Sequence, residues 1–136
     1  MNSVETRLDP AKFQSISEKI LDLDPDIMAA YILRAPNGQV IAEAVRPEFK
    51  RTLGGLSQSA NGMVSQWNIV AFNLMQRLDS VRSKARYLLI GRDELKGLIF
   101  PVPPSETHYV VLTLAKKANV EGLYENVLEH VKNLPS

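Results

Sequence analysis

Two segments, Ile27–Arg34 (IMAAYILR) and His108–Ala115 (HYVVLTLA), are apolar at odd and even positions alike. A strand points successive side chains to opposite faces, so a strand apolar on both faces must be covered on both. That requirement excludes a sheet with one solvated side and demands helices above and below it. Three helical stretches are available. Asp9-Pro10 opens the first with an acceptor at the cap and proline at the first helical position, and Phe13, Ile16, Ile20 and Leu21 give it an apolar face. It should end in Asp22-Leu23-Asp24-Pro25, since the residue before a proline is pushed out of helical geometry. Asn119 can cap the last helix, with Leu123, Val127, Leu128 and Val131 turned inward.

The middle helix, residues 56–81, is the organising element. Leu56, Ala60, Met63, Trp67, Val70, Ala71, Leu74, Leu78 and Val81 recur at three- and four-residue steps and define a core-facing stripe. Val64, Ile69, Phe72 and Met75 fall outside that stripe, with Ser65, Asn68 and Gln76 among them. Only the sector of Gln66, Asn73 and Arg77 is wholly polar. A helix with Phe and Ile beyond its core stripe packs against something on a second side, either another subunit or another element of the same chain.

Pro36-Asn37-Gly38 is a turn signal between the first strand and a second, Gln39–Val45. Residues 46–55 read as loop or a short helical turn. A third strand is expected at 87–90 and a fourth at 97–102, where Pro101 must sit at an edge, a bulge or the strand end. The order is α-β-β-α-β-β-β-α. Its short connections imply antiparallel pairing, and the fold class is α+β, an α/β/α sandwich formed as one domain over residues 1–136.

Chemistry is sparse. There is no cysteine, and a formal net charge of +1 argues against nucleic acid as the main partner. The N-terminal residues lack the apolar core of a signal peptide, and the longest apolar run is too short to span a bilayer, so a soluble cytoplasmic chain with no membrane insertion is expected. Asp22, Asp24 and Asp26 alternate like a calcium loop, but Ile27 and Leu33 replace the glycine and glutamate such a loop needs. His108 and His130 have no companion ligands, and His108 reads as a strand-start residue near solvent. Glu121, Glu125 and Glu129 form one row on the last helix, read as a solvated acidic face. Lys50 and Arg51, ahead of Gly54-Gly55 and a helix start, are candidate anion-binding residues, with a plain loop as the alternative. Arg77, Arg82, Lys84 and Arg86 gather where the middle helix meets the third strand. No set of acid, base and nucleophile emerges, so neither an enzyme nor a cofactor is expected.

The stretch ILRAPNGQVIA, residues 32–42, resembles the first hairpin of roadblock / dynein light chain domains. The long amphipathic helix fits the same pattern, as do Tyr87-Leu88-Leu89-Ile90, Gly97-Leu98-Ile99-Phe100 and Tyr109-Val110-Val111-Leu112-Thr113-Leu114. Ala118-Asn119-Val120-Glu121-Gly122-Leu123 looks like that family's entry into its closing helix. Profilin-like domains share much of this layout. The resemblance implies a five-stranded antiparallel sheet with the central helix on one face and the terminal helices on the other. It implies a homodimer or heterodimer through the central helix and third strand, joining two sheets edge to edge. Val64, Asn68, Ile69, Phe72 and Met75 would then meet the partner, with Tyr87 and Leu89 on the paired edge. The family's roles are non-catalytic: scaffolds, complex subunits and regulators of Ras-like small GTPases. The alternative is a small-molecule sensor of profilin/PAS-like fold, with a ligand between sheet and helix.

Overall fold

A computed structural model describes residues 10–35, 37–49, 57–78, 86–91, 94–103 and 107–132. The elements are α1 (Pro10–Leu21), β1 (Ile27–Arg34), β2 (Gln39–Val45), a single 3-10 turn (Pro47–Phe49), α2 (Ser57–Leu78), β3 (Leu88–Gly91), β4 (Leu95–Pro101), β5 (His108–Ala115) and α3 (Val120–Val131). The five strands form one antiparallel sheet in the order β2-β1-β5-β4-β3. The two strands apolar on both faces, β1 and β5, are neighbours at its centre, which is where double cover is available.

Each face has its own core. Beneath α1 and α3, Ile20, Ala30, Leu98, Phe100, Val110, Leu112, Leu123 and Val127 pack together, continued by Phe13, Ile32 and Ala42. Beneath α2, Tyr31, Leu33, Val64, Ala71, Met75, Ile99, Tyr109 and Val111 do the same. The expected α/β/α sandwich, with the central helix alone on one face, is the observed one.

Local chemistry fixes the ends. Helix α1 begins at Pro10 and unwinds after Leu21, where the amides of Asp22 and Leu23 turn back to the carbonyls of Lys19 and Ile20, each at 3.1 Å. The alternating aspartates belong to this turn, the Asp24 carboxylate accepting from the Asp26 amide at 2.8 Å. Arg46, just past β2, donates to the carbonyls of Ile27 (2.6 Å), Asp24 (2.7 Å) and Leu21, and so ties the end of α1 to both strands of the hairpin. Gly38 takes φ +72° in the hairpin turn, and α2 passes so close that a Cβ there would lie 2.8 Å from the Ser65 carbonyl oxygen. Asn119 caps α3, its side chain accepting from the Gly122 amide at 3.2 Å.

Several expectations shift. Strand β4 starts at Leu95, two residues early, because Gly97 is mid-strand and not a strand opening: Trp67 lies on it, and a Cβ at Gly97 would sit 2.8 Å from the indole ring. Pro101 ends β4. The Val102 amide bonds the His108 carbonyl at 2.9 Å, so by alternation the Pro101 nitrogen faces the β3 side, where pairing has already stopped at Leu88 opposite Ile99. No ladder bond is lost. His108 is buried, not near solvent, because Phe13 of α1 covers the start of β5, ring centroids 5.2 Å apart. On α3 the aromatic Tyr124 is buried and Leu128 only half so.

Candidate functional site

Helix α2 is rotated about its axis by roughly 80° from the sequence expectation. Val64, Asn68, Ala71 and Met75, at i, i+4, i+7 and i+11, face the chain's own sheet and are buried. Val64, Asn68 and Met75 are therefore not available to a partner. The expected core residues Val70 and Leu74 stand on the surface instead, 50% and 41% exposed. Ile69 and Phe72 are half-buried on the other flank, Phe72 edge-on to Tyr109 at 6.2 Å. The contact of Trp67 with Gly97 accounts for the phase, since it seats the indole over β4 and leaves the next residues of that row beyond the sheet's reach. Excess apolar surface is present on α2, but on the flank that leans toward β4 and β3. Asn68 is fully buried, and among the described residues neither its amide nitrogen nor its oxygen has a hydrogen-bond partner.

Strand β3 continues that flank at the rim of the sheet. Leu88 and Ile90 pack half-buried against the α2 core, whereas Leu89 points to the other face and is 44% exposed. By the alternation of the β4–β5 ladder, Ile99 and Gly97 turn their backbone groups to β3 and pair with Leu88 and Ile90. The N–H and C=O of Leu89 and Gly91 therefore point outward, and among the described residues nothing meets them. Ahead of β3, Arg86 crosses to α3. It reaches Glu121 at 2.6 Å and Glu125 at 3.8 Å, and lies over the rings of Tyr87 and Tyr124 at 5.9 and 5.1 Å. The Tyr87 hydroxyl donates to Glu121 at 3.1 Å, which, with lesser help from desolvation, pushes its phenol pKa up. Tyr87 thus belongs to a surface clamp holding the start of β3 to α3. The acidic row of α3 is engaged, with Glu129 taken by Lys132 at 2.9 Å.

The opposite edge differs. The Arg46 amide bonds the Met28 carbonyl at 3.0 Å, so Ala44 and Ala42 face β1 and the backbone of Glu43 points outward. Gln14 of α1 meets it there. Its side-chain nitrogen donates to the Glu43 carbonyl at 2.7 Å, and its oxygen accepts the Glu43 amide at 3.3 Å.

Other candidates fare differently. Lys50 and Arg51 lie outside the described residues, as do Arg82 and Lys84. Among the described residues no group of three or more His, Asp or Glu side chains could hold a metal ion. Burial, and secondarily the charge of Arg34, lowers the pKa of His108, and its Nδ1 lies 3.2 Å from the Thr107 hydroxyl. The space under α2 is filled by Tyr31, Trp67, Phe72 and Tyr109. No helix among the described residues is long and apolar enough to cross a membrane.

A mixed-cover sheet of this order, with one long helix on one face and the terminal pair on the other, is the roadblock fold. No protein-family model and no curated protein matches the sequence. Among solved structures, a Roadblock/LC7 domain from Streptomyces avermitilis aligns over 88% of this chain and 91% of its own, at 12% identity and TM-score 0.66. Myxococcus xanthus MglB aligns over 91% and 87%, at 8% identity and TM-score 0.68. An MglB in a tetrameric arrangement aligns over 93% and 90%, at 10% identity and TM-score 0.66.

Proposed function

We propose that the chain is a non-catalytic interaction module that pairs with a second roadblock-type subunit, identical or related, and binds or regulates a Ras-like small GTPase or serves as a subunit of a larger complex. One observation carries the pairing. Among the described residues the exposed large apolar side chains, Val70, Leu74 and Leu89, all lie on the α2 flank and the β3 edge. Left in water, an apolar edge strand beside an apolar helix flank is a site of uncontrolled association, and a specific partner removes the hazard. The interface then comprises Val70 and Leu74 with Leu89, rimmed by Leu88, Ile90 and Tyr87, and Ile69 and Phe72 stand farther around the helix. That an MglB of the same fold takes a tetrameric arrangement supports assembly as a use of this scaffold. The candidate acid–base groups are occupied structurally, His108 in the core and the α3 glutamates in ion pairs, which supports a non-catalytic role. Against a ligand between α2 and the sheet stands the bulk of Tyr31, Trp67, Phe72 and Tyr109, which pack together there.

Sedimentation equilibrium of the double variant Val70→Asp/Leu74→Asp tests the pairing. Each buried aliphatic side chain contributes about 1.5–3 kcal/mol, so the dimer should weaken by about a thousandfold while cooperative melting persists. An unchanged dimer would place the contact elsewhere. For the partner, titration against Ras-like GTPases loaded with GDP or a non-hydrolysable GTP analogue should show preference for one nucleotide state, and equal or no binding across the panel would count against it.

A further inference from the structure

The carboxamide of Gln14 presents one donor and one acceptor to the outward C=O and N–H of Glu43, the fifth of the seven residues of β2. An arriving strand would offer the same pair at the same place. We propose that Gln14 is an edge guard: it occupies the β2 edge as a surrogate strand and thereby confines pairing between copies of this chain to the β3 edge, so that assembly closes at two.

The observations fit together in one direction. A sheet with two open edges grows without limit, because each added copy presents a fresh edge, whereas a sheet with one open edge stops when two copies meet by a twofold axis. Here β3 leaves the backbone groups of Leu89 and Gly91 outward, and β2 does not leave those of Glu43. Proteins usually blunt an edge with charge, proline or a bulge. The β2 edge has a register shift between Ile32 and Leu33, but it lies toward the hairpin turn and leaves the Glu43 region regular. The side chain of Gln14 closes that region. Beside it, Gln14, Glu18, Leu21, Glu43, Ala44 and Val45 line a cleft of about 260 Å³. Removing the carboxamide would expose the edge without disturbing the ladder, whose bonds run to the other side of β2.

This inference rests on the dimer proposed above, and three proteins separate the two. Light-scattering mass is measured across a concentration series for wild type, Gln14→Ala and Gln14→Ala/Glu43→Pro. Alanine is the best helix former, so α1 should persist, as far-UV circular dichroism will show. Proline at 43 deletes only the outward N–H and leaves the bonds to β1 intact. Wild type should stay a dimer, Gln14→Ala should climb with concentration to at least about twice that mass, and the double variant should return to the wild-type value. If Gln14→Ala matches wild type throughout, or grows but is not reversed by Glu43→Pro, the guard is wrong and the dimer stands. If wild type is a monomer while Gln14→Ala pairs reversibly through Glu43, the guard stands and the β3 dimer fails. Should Gln14→Ala unfold, the wild-type Glu43 amide decides: slow exchange at every concentration supports the guard, and exchange at the rate of an open strand overturns it.

Discussion

At the β2 edge, Gln14 fills the outward backbone groups of Glu43, and Arg46 just past the strand holds three carbonyls. At the β3 edge, the matching groups of Leu89 and Gly91 face away from the chain, and Arg86 just before the strand lies across the surface to two glutamates. The two edges pose the same physical problem of unpaired backbone beside apolar side chains. One is solved with polar groups from the same chain. The other keeps a short strand, an exposed leucine and an exposed helix flank, which is the chemistry of a surface waiting for protein. A fold can thus direct assembly by finishing one side of its sheet and leaving the other unfinished.

The contrast can be broken residue by residue. Arg46→Ala removes a charged donor from the carbonyls of Leu21, Asp24 and Ile27, and should cost about 3 kcal/mol in urea denaturation. A loss no greater than that of a surface residue would mean water replaces it. Gly97→Ala pushes a methyl into Trp67, which sits between the β4 backbone and the exposed α2 flank. It should destabilise by about 1–3 kcal/mol and, by displacing α2, weaken the dimer as well. A fully stable variant would show that the indole moves freely.

His108 lies between the edges and supplies a pH test. Burial, then Arg34, sets its folded pKa below the usual value near 6.5, so the unfolded chain binds the proton more readily. Stability should be full above about pH 6.5 and fall as pH drops through that value toward the folded pKa, by at most about 1.4 kcal/mol per pH unit. His108→Phe should flatten that slope, and a slope that survives would assign it to other groups. Arg86→Ala should have the smallest effect, under about 1 kcal/mol, because its ion pairs are solvent-exposed. A larger loss would mean that the clamp on β3 carries the edge.

Much of this architecture is written in local pattern. The two-faced strands fixed the layering, proline and Asn-Gly signals placed α1 and the hairpin, and Asn119 announced α3. The rotation of α2 was not legible, because apolar residues surround most of the helix and periodicity alone cannot choose among overlapping stripes. Ala71 belongs to the expected stripe and the observed one alike. The choice is made by a contact distant in sequence, Trp67 on Gly97, and a glycine in a strand reads as a turn until its neighbour is known. Asn68 lies outside the expected stripe and the resemblance turns it toward a partner, while its burial answers to no local signal. Gln14 was invisible for the same reason: nothing in its helix says that its carboxamide will meet a strand 29 residues away.

Residue-resolved amide exchange, followed as a function of protein concentration, tests the covered-edge account most directly. The Leu89 and Gly91 amides should slow as concentration rises and a second copy's strand takes them. Exchange of both amides at the rate of solvent-facing backbone, unchanged from the most dilute sample to the most concentrated, would show that no partner copy closes this edge.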